Sequence, residues 1–344
     1  MWKTTFVGLD VSRKTIMATA VDELGHRIDQ RKLTARDPEL VEFLAGLPGE
    51  KKVVLEACNV WEHVYDAAAS TGAQVKLANP LKTRIITEAS LKTDRVDSEA
   101  LAMLARLDAV AEAYAPTPEQ RALRHLVRER TFYWKKWMDV VNHTYSILLQ
   151  RGVEYDSGIL TKCTMRDELR THGIPEVDRG LDALAKLEEI AKPLEKEIHA
   201  AFIRSKEAQL LASIPGIGEV TAVTLVAFLC PIERFHSLEA VVKYSGLCPS
   251  VRQSGENSYN GPLVWDAQAV LKFVLIEAQW RTRQNEKRGD VARVGKRVAR
   301  RGAANDGAVA AARTLVRICA AVLRRGTPYQ PHAPGSLSRQ VLPA

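Results

Sequence analysis

Four acidic residues occupy positions at which carboxylates could hold a divalent cation. Asp10 and Glu56 each follow an apolar run typical of a β-strand, so both are predicted to stand at strand ends. Asp94 and Asp97 open a helical pattern three residues apart and share one helix face, which continues through Leu101 toward the predicted core. Carboxylates on such a face need a partner or a cation, and oxygen ligands suit Mg²⁺ bound against a phosphate. The alternative is that they are ordinary surface acids, since the chain has 41 Asp and Glu residues.

Length and composition place the chain among ordinary globular proteins. Its 344 residues suffice for two or three domains, and contents of 46% hydrophobic and 26% charged residues are average for that class. No apolar run is long enough to span a membrane and the first residues lack a signal-peptide pattern, so we expect no membrane partner. The five scattered cysteines indicate a reducing cytoplasm and argue against a zinc site or a disulfide framework.

Charge is distributed unevenly along the chain. The net charge is +8, but residues 1–113 have 15 Lys and Arg against 17 Asp and Glu, a net of −2, which leaves +10 for the remainder. The C-terminal part is therefore predicted to bind a polyanion. An acidic N-terminal part is compatible with DNA if a metal ion neutralises some of its carboxylates.

The first domain, residues 1–113, has the element order of an α/β ribonuclease H-like fold. Three strands joined by short turns are followed by two strand–helix units, which is the order of that fold. The predicted strands cover residues 4–11, 15–22, 26–34, 52–57 and 74–79. The predicted helices cover residues 37–47 and 60–71 and the segment that holds Asp94 and Asp97.

Residues 114–205 are predicted to form a helical arm. Helical patterns over residues 119–151 and 177–212 are joined by an irregular segment, which favours a helical hairpin or a coiled coil. A plain helical layer on a domain is the alternative.

Residues 206–344 are predicted to form a mainly α C-terminal domain. It opens with two helices joined by Pro215-Gly216-Ile217-Gly218, which resembles a helix-hairpin-helix. In that arrangement Gly216 and Gly218 would let backbone amides approach a phosphate. A tight turn between helices, without a ligand, fits the pattern equally well.

A set of motifs along nearly the whole chain resembles the DEDD transposases of IS110-type insertion sequences. The motifs that match the family's RuvC-like N-terminal domain are Gly8-Leu9-Asp10, Leu55-Glu56-Ala57, Asn79-Pro80 and the run from Lys92 to Asp97. Those that match its C-terminal transposase domain and tail are Ile214 to Gly218, Gly246 to Pro249, Ser254-Gly255, Ala311 to Arg313 and Gly326 to Tyr329. Any one motif is weak, but their order and spacing together are specific.

The resemblance implies an RNA-guided DNA recombinase with a composite active site. The family's acids, which correspond to Asp10, Glu56, Asp94 and Asp97, hold Mg²⁺, and a serine at the position of Ser254 forms a phosphoserine intermediate with DNA. The family also implies donor and target DNA and a structured bridge RNA as partners. It implies a homo-oligomer that is a tetramer of dimeric units.

Basic residues in the C-terminal part are the predicted nucleic-acid contacts. Nine of them lie between residues 281 and 301, where we expect salt-dependent binding of phosphates; a solvated basic helix is the alternative. The full set of predicted contact residues is Gly216, Gly218, Arg252, Lys272, Arg288, Lys296, Arg297, Arg300 and Arg301. A second candidate surface interleaves cations with aromatic rings and comprises Arg121, Arg124, His125, Arg128, Phe132, Tyr133, Trp134, Lys135 and Lys136.

Two departures from the family pattern concern the active site. Trp265 and Ala267 stand where the family often has Lys and Gly, which makes Lys272 the candidate for a basic contact to the scissile strand. Cys58 stands near the place of a Gly-Thr-Tyr motif, so we expect altered packing beside Glu56 but an intact acid.

Two other functions stay open. A RuvC-type, metal-dependent, structure-specific endonuclease would hydrolyse DNA with water and would need no serine. A catalytically idle nucleic-acid-binding protein would need neither the serine nor the acids. If a serine recombinase is correct, the rival nucleophiles near Ser254 are Ser250, Ser258 and Tyr259.

Overall fold

The computed structural model describes residues 3–86, 94–156, 158–254, 257–264 and 268–331. These residues divide into two compact units, one that ends at Thr117 and one that begins at Pro118. The predicted division into three domains with boundaries at 113 and 205 stays a prediction. Trp265 and Ala267 lie outside the described residues, as do Lys92, Thr93 and Gly255 of the family motifs.

The first unit is a five-stranded mixed sheet with helices on both faces. Its strands are β1 (Thr4–Val11), β2 (Thr15–Val21), β3 (Arg27–Thr34), β4 (Glu50–Glu56) and β5 (Gln74–Ala78), in the order β3-β2-β1-β4-β5. The first three strands are antiparallel neighbours, whereas β4 pairs parallel with both β1 and β5. The helices are α1 (Asp37–Ala45), α2 (Trp61–Ser70), α3 (Pro80–Ile86) and α4 (Asp94–Arg106). This is the mixed α/β sheet that the sequence predicts.

Alternation along β1 assigns each face of the sheet to different helices. Val7 and Leu9 belong to the core that includes residues of α1 and α2, whereas Phe6 belongs to the cluster formed with α4. Gly8 lies on the α4 side, where an added Cβ would be 2.0 Å from the backbone oxygen of Ser98 and 2.4 Å from the amide nitrogen of Ala102. Only glycine permits this contact, so α4 rests directly on the backbone of β1.

The second unit is mostly helical. Its helices are α5 (Pro118–Gln150), α6 (Arg166–Arg170), α7 (Pro175–Arg204), α8 (Lys206–Ala212), α9 (Glu219–Leu229), α10 (Leu238–Tyr244), α11 (Ala269–Asn285), α12 (Asp290–Ala299) and α13 (Ala304–Arg325). An antiparallel hairpin of β6 (Pro249–Ser254) and β7 (Asn257–Leu263) interrupts them. Its largest core includes apolar residues of α9 and α13. No helix in the described part of the chain is both long and apolar enough to cross a bilayer.

The long helices α5 and α7 pack against each other and bury an apolar seam. Val141 and Leu148 of α5 share a core with Leu181 and Leu184 of α7. The prediction of one helix over residues 177–212 is wrong, because the backbone is extended at Ser205, where φ is −102° and ψ is 112°. The Ser205 side chain then accepts a hydrogen bond from the amide of Ala208 and caps α8. The coiled-coil arm itself stays a prediction.

Candidate active site and nucleic-acid interface

Two of the four predicted acids stand at the same edge of the sheet. Strands β1 and β4 run parallel, and Leu9 pairs with Leu55, so Asp10 and Glu56 follow at the next step of neighbouring strands. Because side chains alternate along a strand, Asp10 shares the face of Gly8, which α4 covers. Both acids are partly exposed.

Helix α4 crosses that face with its first turn directed toward the same edge. Its Ser98 hydroxyl is 2.8 Å from the hydroxyl of Thr19 on β2, in the interior beside Gly8. At its other end, a guanidinium nitrogen of Arg106 lies 3.5 Å from the backbone oxygen of Glu23 in the β2–β3 turn, at the opposite edge. The turn that precedes Ser98 contains both remaining acids, and it therefore lies toward the end of β1.

The exposure of those two acids differs from the expectation that both face the core. Asp94 is exposed and Asp97 is partly exposed, while the residues of α4 that pack on the sheet are Ser98, Leu101, Ala102 and Ala105. Helical spacing fixes the angle between side chains but not where the helix begins relative to the sheet. Asp94 opens the described helix and lines a cavity at the sheet edge rather than the core.

The carboxylates of Asp10 and Glu56 both act on the thiol of Cys58. Burial raises the pKa of the Cys58 thiol, and the carboxylates of Glu56 and Asp10 raise this pKa further. Within the described ranges, no group of three or more His, Cys, Asp and Glu side chains is arranged to hold a metal ion. Convergence of all four acids on one ion stays a prediction. The donor set nonetheless fits Mg²⁺, since it consists of carboxylate oxygens on elements that meet at one edge.

The predicted nucleophile closes the first strand of the hairpin. Ser254 is the last residue of β6 and pairs with Asn257, so it stands at the hairpin's tip. The hydroxyl of Ser250, one of the rival nucleophiles, already donates a hydrogen bond to the backbone oxygen of Pro262 at 2.9 Å. This internal hydrogen bond gives Ser250 a structural role in the hairpin. Ser254 as the nucleophile stays a prediction, since its side chain and those of the other rivals, Ser258 and Tyr259, lie outside the described part of the chain.

The two glycines of the predicted helix-hairpin-helix turn have different surroundings. Gly216 has φ +90°, and an added Cβ would be 2.5 Å from the amide nitrogen of Thr282 in α11. Close packing on α11 therefore explains this glycine without a ligand. An added Cβ at Gly218 would meet no atom within 4 Å. Glu219 follows in the first turn of α9, and its carboxylate is hydrogen-bonded to the Nδ1 atom of His199 at 2.8 Å. A carboxylate therefore already lies at the N-terminus of α9.

Helix α12 presents a strongly basic outer face. Its inner face packs tightly on α13, where an added Cβ at Gly295 would be 3.1 Å from the Cβ of Ala311. Its outer face borders an open cavity of about 690 Å³ that is lined by Lys287, Arg288, Arg293, Lys296, Arg297, Arg300 and Arg301. Arg293 pairs with Asp290, whereas the other six form no salt bridge with a carboxylate of the described chain. We call this surface the α12 groove.

The remaining predicted contacts are more scattered. Arg252 lies on β6, and Lys272 lies partly exposed near the start of α11. On the second candidate surface, Arg124 is buried and donates to the backbone oxygen of Ala227 at 2.7 Å. Arg121 is buried as well, so both belong to the interior and not to a nucleic-acid interface. Five exposed residues of this surface remain, namely His125, Arg128, Phe132, Lys135 and Lys136.

Two family profiles match the chain in the order expected from these motifs. The profile of the DEDD transposases of IS110 matches residues 7–151, which include most of the sheet and all four acids. The profile described as the transposase IS116/IS110/IS902 family matches residues 208–290, which include the hairpin of Ser254.

Curated relatives agree with these profiles. The chain is 24% identical over 278 residues to the transposase for insertion sequence element IS1111A of Coxiella burnetii, covering 78% of this chain and 75% of the relative. It is 24% identical over 259 residues to the transposase for insertion sequence element IS1328 of Yersinia enterocolitica, covering 74% of this chain and 76% of the relative. Transposases are enzymes that cut and join DNA. With its α/β acid-bearing sheet, its helical C-terminal unit and these matches, the chain belongs to the IS110-type transposases.

Proposed function

We propose that this transposase cuts and rejoins DNA through a covalent phosphoserine intermediate at Ser254, assisted by Mg²⁺ held by Asp10, Glu56, Asp94 and Asp97. The single observation that carries the metal part is the shared sheet edge, to which β1, β4 and the first turn of α4 all lead. Four carboxylates near one edge repel one another, and a divalent cation relieves that repulsion. Binding of the ion would therefore draw the acids together.

The proposed chemistry is a transesterification that conserves the phosphodiester bond energy. The Oγ of Ser254 attacks phosphorus, its proton leaves to a base or to water, and the bond from phosphorus to one sugar oxygen breaks. That oxygen takes up a proton, and attack by a sugar hydroxyl on the phosphoserine later reverses the step. Charge neutralisation at the phosphate is what a bound Mg²⁺ supplies. No nucleotide cofactor is required for rejoining.

The α12 groove is the proposed contact for nucleic-acid backbone. Six cations of the α12 groove, none of them in a salt bridge with a described carboxylate, would hold phosphates of donor and target DNA or of a guide RNA. Such contacts carry no sequence information, which is consistent with sequence being read by base pairing to the RNA. Sequencing of RNA that co-purifies with the protein tests the RNA part: a single structured species supports it, and random cellular RNA contradicts it.

Replacement of one acid tests the metal part. Asp97→Asn should lower Mg²⁺-dependent DNA strand cleavage by about 100-fold or more, because a ligand that offsets charge at the reacting phosphate is lost. Glu99→Gln is the matched control, since it removes a carboxylate from the same helix at a position that is not among the four acids. Both variants should melt near the wild-type temperature. Cleavage by Asp97→Asn at the rate of Glu99→Gln would refute the metal part.

A further inference from the structure

A row of three residues crosses the sheet beside the acids. Asp10 on β1 pairs with Met17 on β2, and Met17 pairs with Lys32 on β3. Their side chains share one face, so Lys32 stands in line with Asp10 two strands away. Neighbouring strands are about 4.8 Å apart, so the two backbones are about 10 Å apart, within reach of a single nucleic-acid strand that touches both side chains.

Lys32 lines a cavity of about 520 Å³ at this edge together with Asp94 and Arg95 of α4. Both cations are exposed, and neither forms a salt bridge with a carboxylate of the described chain. Two unpaired cations therefore border the same cavity as one of the predicted metal ligands. The arrangement attracts an anion that spans from the acids toward β3.

The backbone of Arg95 is held in place by β2 and β3. The side-chain amide of Gln30 donates to the hydroxyl of Thr19 at 2.9 Å and lies 3.4 Å from the backbone oxygen of Arg95. Gln30 is two residues before Lys32 on the same face of β3. This network holds the first turn of α4 beside the strand that carries Lys32, so the backbones of Lys32 and Arg95 stay on the same side of the cavity.

The neighbouring Arg31, unlike Lys32, has interaction partners within the fold. Its side chain points to the other face, where its guanidinium lies 5.8 Å from the ring centre of Phe43 and 2.8 Å from the carboxylate of Asp29. The charge of Arg31 is thus satisfied within the fold, whereas that of Lys32 is not.

We propose that Lys32 and Arg95 form a phosphate-binding subsite that holds the DNA strand at a phosphate next to the one that is cut. This inference rests on the proposed function, because the acids beside the subsite define which phosphate is cut. A lysine ammonium serves as a point charge and the arginine as a directional donor. The Asp94 carboxylate in the same cavity would repel a phosphate, but its charge is offset once it ligates Mg²⁺. The subsite is therefore a positioning element whose strength depends on the metal.

The test compares Lys32→Gln and Arg95→Gln with Arg31→Gln in the full-length protein with Mg²⁺. Each subsite variant should raise the DNA concentration for half-maximal cleavage by about 5- to 10-fold, as for loss of one or two phosphate contacts, and leave the maximal rate within about twofold. Arg31→Gln removes the same charge from the other face and should behave as wild type. A DNA strand with a neutral methylphosphonate beside the scissile phosphate should raise the DNA concentration for half-maximal cleavage similarly in wild type. In Lys32→Gln the same DNA strand should raise this concentration little further.

The outcomes separate this inference from the proposed function. If wild type cleaves but Lys32→Gln and Arg31→Gln are equal, or if the methylphosphonate penalty persists in full in Lys32→Gln, the subsite is refuted and the proposed function stands. If wild type does not cleave with Mg²⁺, the proposed function fails. In that case the salt dependence of DNA binding tests the subsite. If the slope of log affinity against log salt is reduced by about one in Lys32→Gln but not in Arg31→Gln, a phosphate contact at Lys32 is still supported. Equal slopes in the two variants exclude that contact.

Discussion

At the scale of single residues, Gly216 and Gly218 differ in how closely the rest of the unit packs against them. Gly216→Ala should lower the free energy of unfolding by about 2–4 kcal/mol, because its left-handed φ and the backbone of Thr282 both oppose a Cβ. Gly218→Ala should change stability by less than about 1 kcal/mol, since the added methyl group meets open space. Chemical denaturation measures both. Equal losses would show that the turn is not packed on α11 as described.

An ion pair between a buried arginine and a partly exposed glutamate leads to a second residue-level prediction, on pH. Arg166 is buried and donates to Glu188 at 2.5 and 3.0 Å, and this hydrogen bonding lowers the pKa of Glu188. A lowered folded-state pKa means that the pair stabilises the protein above the ordinary glutamate pKa of about 4.3 and loses its contribution as pH falls further.

Glu188→Gln should therefore destabilise the protein by about 1–2 kcal/mol at pH 7, because the buried guanidinium of Arg166 loses its partner charge, while solvent at the partly exposed carboxylate screens part of the interaction. The difference from wild type should shrink as the pH approaches 3. Melting temperatures across pH 3 to 7 provide the measurement, with Glu189→Gln as control because Glu189 pairs with Lys186 at an exposed position. A difference that stays constant with pH would contradict the assigned role of the pair.

Residue types and spacing predict part of the site. The strand-end positions of Asp10 and Glu56 follow from apolar runs that stop at them, and the structure has both at strand ends. The burial of Arg124 could not be predicted, because it depends on the backbone oxygen of Ala227, 103 residues away. Lys32 carried no local signal either, since its importance comes from the pairing of three strands.

At the scale of elements, the α12 groove predicts a measurable salt dependence. Replacing Arg297 and Arg300 by Gln should weaken binding of unrelated nucleic-acid sequences alike and reduce the slope of log affinity against log salt by up to about two. Arg317→Gln is the control, because Arg317 pairs with Glu239 on another part of the unit. Fluorescence anisotropy at several salt concentrations provides the slope. An unchanged slope in the double variant would show that the groove does not bind phosphates.

Local patterns predict the elements of the sheet better than those of the helical unit. The five strands follow from alternation and short turns, and each has bounds within a few residues of those predicted. The break at Ser205 was missed, since helical spacing continues across it while packing separates α7 from α8. The hairpin of β6 and β7 was missed as well, because its pairing is not evident from its polar sequence.

At the scale of the whole molecule, the family resemblance predicts a tetramer. Trp137 and Val141 of α5 pack against α7 within one chain, and the indole of Trp137 donates to Glu188 at 3.0 Å. These two residues are therefore already covered by α7 and are not free to contact a second chain. We expect light scattering on a complete RNA–DNA substrate to show a tetramer; a species that stays monomeric would contradict this.

The central claim is that Ser254 forms a covalent bond with DNA, and trapping that bond tests it most directly. When rejoining is blocked, wild type should accumulate a protein–DNA adduct that survives denaturation and migrates more slowly in a gel. Ser254→Ala should abolish the adduct and recombination while salt-sensitive nucleic-acid binding stays nearly unchanged, because no charge is removed. Ser250→Ala, which removes a hydroxyl bonded within the hairpin, should retain the adduct. Normal cutting by Ser254→Ala without any adduct would contradict the account and favour a metal-dependent endonuclease that uses water.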